Sequence, residues 1–172
     1  MPNEIVPNEI IEKKIYLIRN RKVMLDRDLA NLYGLETRLL KRAVRRNLKR
    51  FPDDFMFTLS NEETELLVSQ IGIPSRSYFG GANPFAFTEY GILMLSSVLN
   101  SDKAIEINIQ IMRIFAKLRE IMSTHKDLAA KLAYLEQKVG KHTGKIQEIF
   151  VAIHKLMKTH EKPIRKVGFI KD

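Results

Sequence analysis

The stretch DLANLYGLETRLLKRAVRRN, Asp28 to Asn47, decides how this chain is read. A short apolar run reaches Gly34, and after Glu36 basic residues recur on almost every turn with no acid among them. Two helices joined at a glycine are expected. Asp26 is read as the N-cap of the first, Arg27–Tyr33, and Thr37 as the cap of a second over roughly Arg38–Lys49. Gly34 supplies the positive φ of the turn, and Ala30, four residues earlier, is small enough for close approach. Leu29, Tyr33, Leu35, Leu40 and Ala43 fall on the buried side of such a pair. The open side of the second helix holds Arg38, Lys41, Arg42, Arg45 and Arg46.

Charge sharpens the reading. The 172 residues carry a net charge of +9, and residues 1–100 account for only +2 of it. Arg38 to Arg50 alone hold seven bases, and without them the rest of that region is at −5. The remaining +7 lies beyond residue 100, mostly as spaced lysines. A concentrated basic stripe on a helix is the electrostatic footprint of nucleic-acid binding. A merely solvated face mixes signs, with acids near the bases to relieve repulsion.

Composition excludes several classes. With 45% hydrophobic residues the chain can bury a core, and without cysteine it has no disulfide, thiolate metal site or cysteine nucleophile. The apolar runs are too short to span a bilayer, and MPNEIVPNEI lacks the basic start and apolar core of a signal peptide. A soluble, cytoplasmic protein is expected.

Working outward, residues 1–9 read as a flexible tail. Ile15–Ile18 and Val23–Leu25 flank Asn20-Arg21 as a hairpin. Phe55–Leu59 reads as a strand after Pro52, and Ser60-Asn-Glu-Glu63 opens a helix to about Gln70 with a capping box. Ile71–Pro84 is a loop with Gly80-Gly81 as a hairpin or wing tip, where Arg76, Ser77 and Tyr78 are placed to touch a DNA backbone. Phe85–Phe87 is a strand, and Thr88 caps a helix Glu89–Leu99 that tolerates Gly91.

From Ala104 the pattern becomes long and regular. Ile107, Ile111, Ile114, Leu118, Ile121, His125, Leu128, Leu132, Leu135, Val139, His142, Ile146, Ile149, Ile153 and Leu156 follow alternating steps of three and four. Such a heptad seam predicts a long helix, roughly 75 Å at 1.5 Å per residue, pairing as a coiled coil. Gly140 and Gly144 weaken it. A bent helix or an αα-hairpin folded back on itself gives the same seam. With no polar turn long enough for a clean reversal, pairing between chains is expected. Pro163 ends the helix, and a basic tail, 161–172, follows.

In the expected docking, Thr37, Arg38, Lys41 and Arg42 meet base edges in the major groove, while Arg45, Arg46, Lys49 and Arg50 meet phosphates. The strings VMLDRDLANLYGLET, KRAVRRNLKRFPDDFMFTLS, PFAFTEYGILMLSSVLNS and AIEINIQIMRIFAKLRE resemble the KilA-N-like domain family, in the branch named for the open-reading-frame-six N-terminal domain of phages. The resemblance covers about residues 10–120. It implies an α+β DNA-binding domain of phages, prophages and other mobile elements, often joined to regulatory or antirepressor functions. One departure lies in the hairpin, where relatives carry Arg-Gly at the place of Asn20-Arg21.

Other candidate chemistry is absorbed by ordinary structure. His125, His142, His154 and His160 form no ligand pattern, Asp53-Asp54 is turn chemistry, and no nucleophile is assembled with a base and an oxyanion site. No enzyme, metal or cofactor is expected. The whole reads as an α+β chain: a helix-turn-helix-containing domain with short strands over 10–122, then a coiled-coil oligomerisation helix over 123–160. The expected partners are double-stranded DNA and a second copy through the coil. The alternative is an antirepressor that seizes a repressor protein through the basic helix or the coil and holds DNA only nonspecifically.

Overall fold

A computed structural model of the chain describes residues 5–139, 144–159 and 165–166. It divides into two units, residues 1–113 with 164–172, and residues 114–163.

The first unit is α+β. A short helix, α1 (Asn8–Glu12), begins where the sequence suggested a loose tail, and it buries Ile11. Strands β1 (Tyr16–Ile18) and β2 (Arg21–Leu25) form an antiparallel hairpin. Its turn is Arg19-Asn20, with φ of 52° and 60°, so the two-residue loop sits one position earlier than expected. Positive φ at both positions matches the right-handed twist of the flanking strands. β2 pairs antiparallel with β4 (Phe85–Thr88), β4 pairs antiparallel with β3 (Met56–Thr58), and β5 (Arg165–Lys166) lies parallel to β1. The order is β3-β4-β2-β1-β5.

Strand alternation sorts the core onto two faces. Tyr16, Ile18, Val23, Leu25, Phe57 and Ala86 share one face, which meets Leu67 of α4 (Asn61–Ile71) and Phe79 of the following loop. Met24, Met56, Phe85 and Phe87 point to the other, where α2 (Asp26–Tyr33) and α5 (Glu89–Leu99) pack on the sheet. All four residues of β4 are buried, as expected of a central strand covered on both sides.

The expected capping box is present at Ser60 and Glu63, which exchange backbone-to-side-chain hydrogen bonds of 3.1 and 2.8 Å. Thr88 caps α5 as expected. Gly91, expected to be merely tolerated, is required by the fold: a Cβ there would lie 2.0 Å from the carbonyl oxygen of Phe55. That carbonyl accepts the Thr88 amide at 2.9 Å, so strand and helix converge on a position that only glycine can fill.

The helix α6 (Asp102–Val139) starts in this unit with Ala104, Ile107 and Ile111 buried. Its Asn108 side chain accepts the Tyr33 hydroxyl and donates to the Ile92 carbonyl at 2.9 Å, which ties α6 to α2 and α5.

In the second unit the expectation of one uninterrupted helix is corrected. The long helix exists but ends at Val139, and α7 (Gly144–Thr159) follows. Glu136 Oε1 and His154 Nε2 lie 3.0 Å apart. Eighteen residues of continuous helix would separate them by about 27 Å, so α7 folds back along the end of α6. Gly140, His142 and His160 lie outside the described residues. Among the described residues no helix is long and apolar enough to cross a membrane.

Candidate nucleic-acid interface

α2 starts directly at the end of β2. Its N-cap is Leu25 rather than Asp26, and Asp26 is the first helical residue. The helix ends at Gly34 in the left-handed conformation (φ 71°), where the Leu35 amide donates to Ala30 O at 2.9 Å. After Leu35 and Glu36 the chain enters α3 (Thr37–Arg46), and Leu48–Arg50 continues as a 3-10 turn. The N-cap is Glu36, with Thr37 already inside the helix. The two helices pack on one another, and Leu29, Ala30 and Tyr33 of the first and Leu40 and Val44 of the second are buried.

That burial turns Arg38, Arg42, Arg45 and Arg46 outward, and Lys49 and Arg50 extend the exposed row. Thr37 is half-buried at the N-terminal end. Arg38 stands 3.5 Å from Glu36, with both groups well exposed, a pairing of little energetic weight. Arg50 donates to Ser97 Oγ at 3.3 Å. Arg45 lies over the Phe85 ring, 5.7 Å from its centroid. Among the described residues Arg42, Arg45, Arg46 and Lys49 have no acidic partner. The chain from Arg45 to Arg50 lines an open depression of about 410 Å³ whose charged groups are all positive.

Lys41 is the exception, and its placement on the open face is corrected. It is 7% exposed. Its ammonium sits 3.1 Å from Asp26 Oδ2, donates to Asn83 O at 3.0 Å and lies 4.8 Å from the centre of the Phe85 ring. Position 41 adjoins Leu40 and lies three residues before Val44, at the border of the buried stripe. The buried carboxylate of Asp26 draws the ammonium inward, because an unpaired charge there would be costly. Asp26 also accepts the amides of Arg27 (2.7 Å) and Phe85 (2.9 Å).

Sequence reasoning missed Asp26, Asn83 and Phe85 as the groups that fix α3 on the sheet. Reading Asp26 as a helix cap gave no sign of a partner fifteen residues away.

Asp28 and Glu63 are displaced from ordinary carboxyl behaviour. Burial pushes the Asp28 carboxyl up, against the opposing pull of Lys14 at 3.3 Å. The Arg19 guanidinium, joined to Glu63 at 2.7 and 2.9 Å, holds that carboxyl below the usual glutamate range. Neither lies on α3. Among the described residues no group of three or more histidines and acids is placed to hold a metal ion.

Fold and site together define a small α+β domain built around a pair of helices, the second of which displays arginines. The ORF6N domain family matches residues 13–98, half of the chain, and the chain belongs to this phage-associated family. Neither the curated proteins nor the solved structures gave a match. The matched residues run from just before β1 to the end of α5 and contain the whole α2–α3 pair.

Proposed function

We propose that this protein binds duplex DNA with sequence preference and acts as a phage- or prophage-type regulator or antirepressor in the cytoplasm. The observation that carries the reading is the outward face of α3: Arg38, Arg42, Arg45 and Arg46, with no acid between Glu36 and Asp53 in the chain. Ten residues of helix are about 15 Å long, a length the major groove accepts. In this reading α2 and α3 are a helix-turn-helix, and Thr37, Arg38 and Arg42 face base edges. Arg45, Arg46, Lys49 and Arg50 neutralise phosphates. Lys41 has no part in the contact. No catalytic step and no cofactor enter this function.

The second unit leaves Leu128 and Leu135, seven apart on α6, and Ile149 and Leu156, seven apart on α7, exposed on its two helices. Exposed apolar side chains at this density mark an interaction surface, and a second copy of the chain is the occupant we propose. Two copies would present two α3 helices to a two-fold symmetric site. The same surface supports a second reading, an antirepressor that captures a repressor protein through these helices.

Selection from random-sequence duplexes at two salt concentrations tests the proposal. One enriched motif with a two-fold repeat is the expected result, with affinity falling steeply as salt rises. Arg42→Ala and Arg45→Ala should each weaken binding. Unchanged affinity in both variants removes α3 from the function. Tight capture of a protein, with weak and unselective DNA binding, would favour the second reading.

A further inference from the structure

We infer that the segment Gly72–Pro84 is a second DNA-contacting element, a wing that lies on the sugar–phosphate backbone beside α3. The inference rests on the DNA reading of α3 and adds to it a separate surface with a separate test.

The C-terminal end of the segment is fastened to the middle of α3 by the Lys41 bond to Asn83 O, at 3.0 Å. Arg45, one turn further along, lies over Phe85, the first residue of β4. The segment therefore flanks the helix from which Arg42 and Arg45 project.

The segment is also braced. Asn83 Oδ1 accepts Arg76 Nη2 at 2.6 Å, and Asn83 Nδ2 donates to Asn61 Oδ1 at 3.0 Å. Arg76 Nη2 reaches the same Asn61 oxygen. Arg27 stacks on the Tyr78 ring at 3.6 Å, and Phe79 is buried. Asp26, Lys41, Asn83, Arg76 and Asn61 thus form one polar chain from the head of α2 to the head of α4. Arg76 is a strut in this arrangement, and the contact belongs to its neighbours.

Chemistry decides what the exposed part fits. No acid occurs between Glu65 and Glu89, and none between Glu36 and Asp53. The Lys41–Asn83 bond brings these two acid-free stretches side by side, and Asp26 at their junction is buried and paired. Ser75, Ser77 and Gly80–Ala82 are exposed. Gly80 and Gly81 have φ of 71° and 77°, and nothing lies within 4 Å of where their Cβ atoms would be. The tip, Gly80–Ala82, is bare backbone open to solvent, and beside it stand the exposed, mutually hydrogen-bonded hydroxyls of Ser75 and Ser77; backbone amides and hydroxyls are groups that contact phosphates without reading sequence.

The chain contains no cysteine, so single cysteines carrying a photo-crosslinker report position directly. Ala82→Cys probes the wing, and Leu39→Cys, exposed on α3, probes the helix. Both are irradiated with a mixed-sequence duplex at low salt. Cross-linking from both positions is expected. In addition, Ser77→Glu with Ala82→Glu should weaken binding about tenfold through phosphate repulsion, while the glutamine pair at the same positions leaves affinity within twofold of the parent. Cross-linking from Leu39→Cys alone, with unchanged affinity of the glutamate pair, overturns the wing and leaves α3 standing. Absence of DNA binding by the parent protein overturns both.

Discussion

The Lys41 ammonium and the Asp26 carboxylate stand 3.1 Å apart, and neither side chain exceeds 9% exposure. A buried pair of this kind is expensive to break from one side, because the survivor keeps its charge without a partner. Lys41→Met should lower unfolding stability by about 3–5 kcal/mol. Asp26→Asn in the same chain should restore more than half of the loss, since the neutral amide still offers an oxygen to the Phe85 amide. Urea denaturation of the parent, both single variants and the double variant measures the coupling. A Lys41→Met variant as stable as the parent would place Lys41 back on the surface.

Gly91→Ala improves helix propensity by about 1 kcal/mol in isolation. Here it should destabilise, by at least about 1–3 kcal/mol, because the added methyl meets the Phe55 carbonyl at 2.0 Å. Thermal melting distinguishes the two effects. A stabilised variant would show that the Phe55 carbonyl and α5 can separate without cost.

Tyr33 and Asn108 share a buried hydrogen bond that joins α2 to α6. Tyr33→Phe leaves Asn108 Oδ1 without that donor and should cost about 1–3 kcal/mol. Burial also raises the Tyr33 phenol above the ordinary tyrosine range. In a spectrophotometric alkaline titration Tyr33 should therefore ionise above the ordinary tyrosine range.

Much of this architecture was legible because its signals are local. Ser60 and Glu63 form their box within four residues, Gly34 bends the chain where it stands, and Thr88 caps the helix it precedes. Period-two apolar runs marked the strands, and the quoted strings carried the family. The errors have a common cause in contacts distant along the chain. Lys41 looks like its arginine neighbours until Asp26, Asn83 and Phe85 surround it. Gly91 looks incidental until Phe55 arrives. The seam from Ile107 to Leu156 has the same steps whether the second helix comes from another chain or from a reversal after Val139. Of the eight residues expected at the interface, six are exposed together, Thr37 is half-buried and Lys41 is turned inward.

Glu63 and Asp28 should act on stability with opposite pH signs. The Glu63 carboxyl is held low by Arg19, so the unfolded chain takes up that proton first as pH falls. Its contribution is present above the ordinary glutamate range and is lost as pH drops through the lowered folded value. The Asp28 carboxyl is raised by burial. Its contribution is greatest below the ordinary aspartate range and fades as pH climbs through the raised folded value. Carboxyl NMR titrations should give a low midpoint for Glu63 that returns upward in Arg19→Ala. A Glu63 midpoint unmoved by that substitution would mean that the pair does not persist in solution.

The pairing of β2 with β4 joins residues about sixty positions apart, and this sets an order of events during synthesis. The hairpin and the α2–α3 pair leave the ribosome first. They then wait, with one edge of β2 unpaired, until Phe85–Thr88 follows. Only then does the Asp26 carboxylate accept the Phe85 amide and the Lys41 ammonium donate to the Asn83 carbonyl. A nascent chain therefore carries the five bases of α3 on a helix not yet fastened to β4. The finished arginine surface comes into being late, when the segment that locks it has been translated.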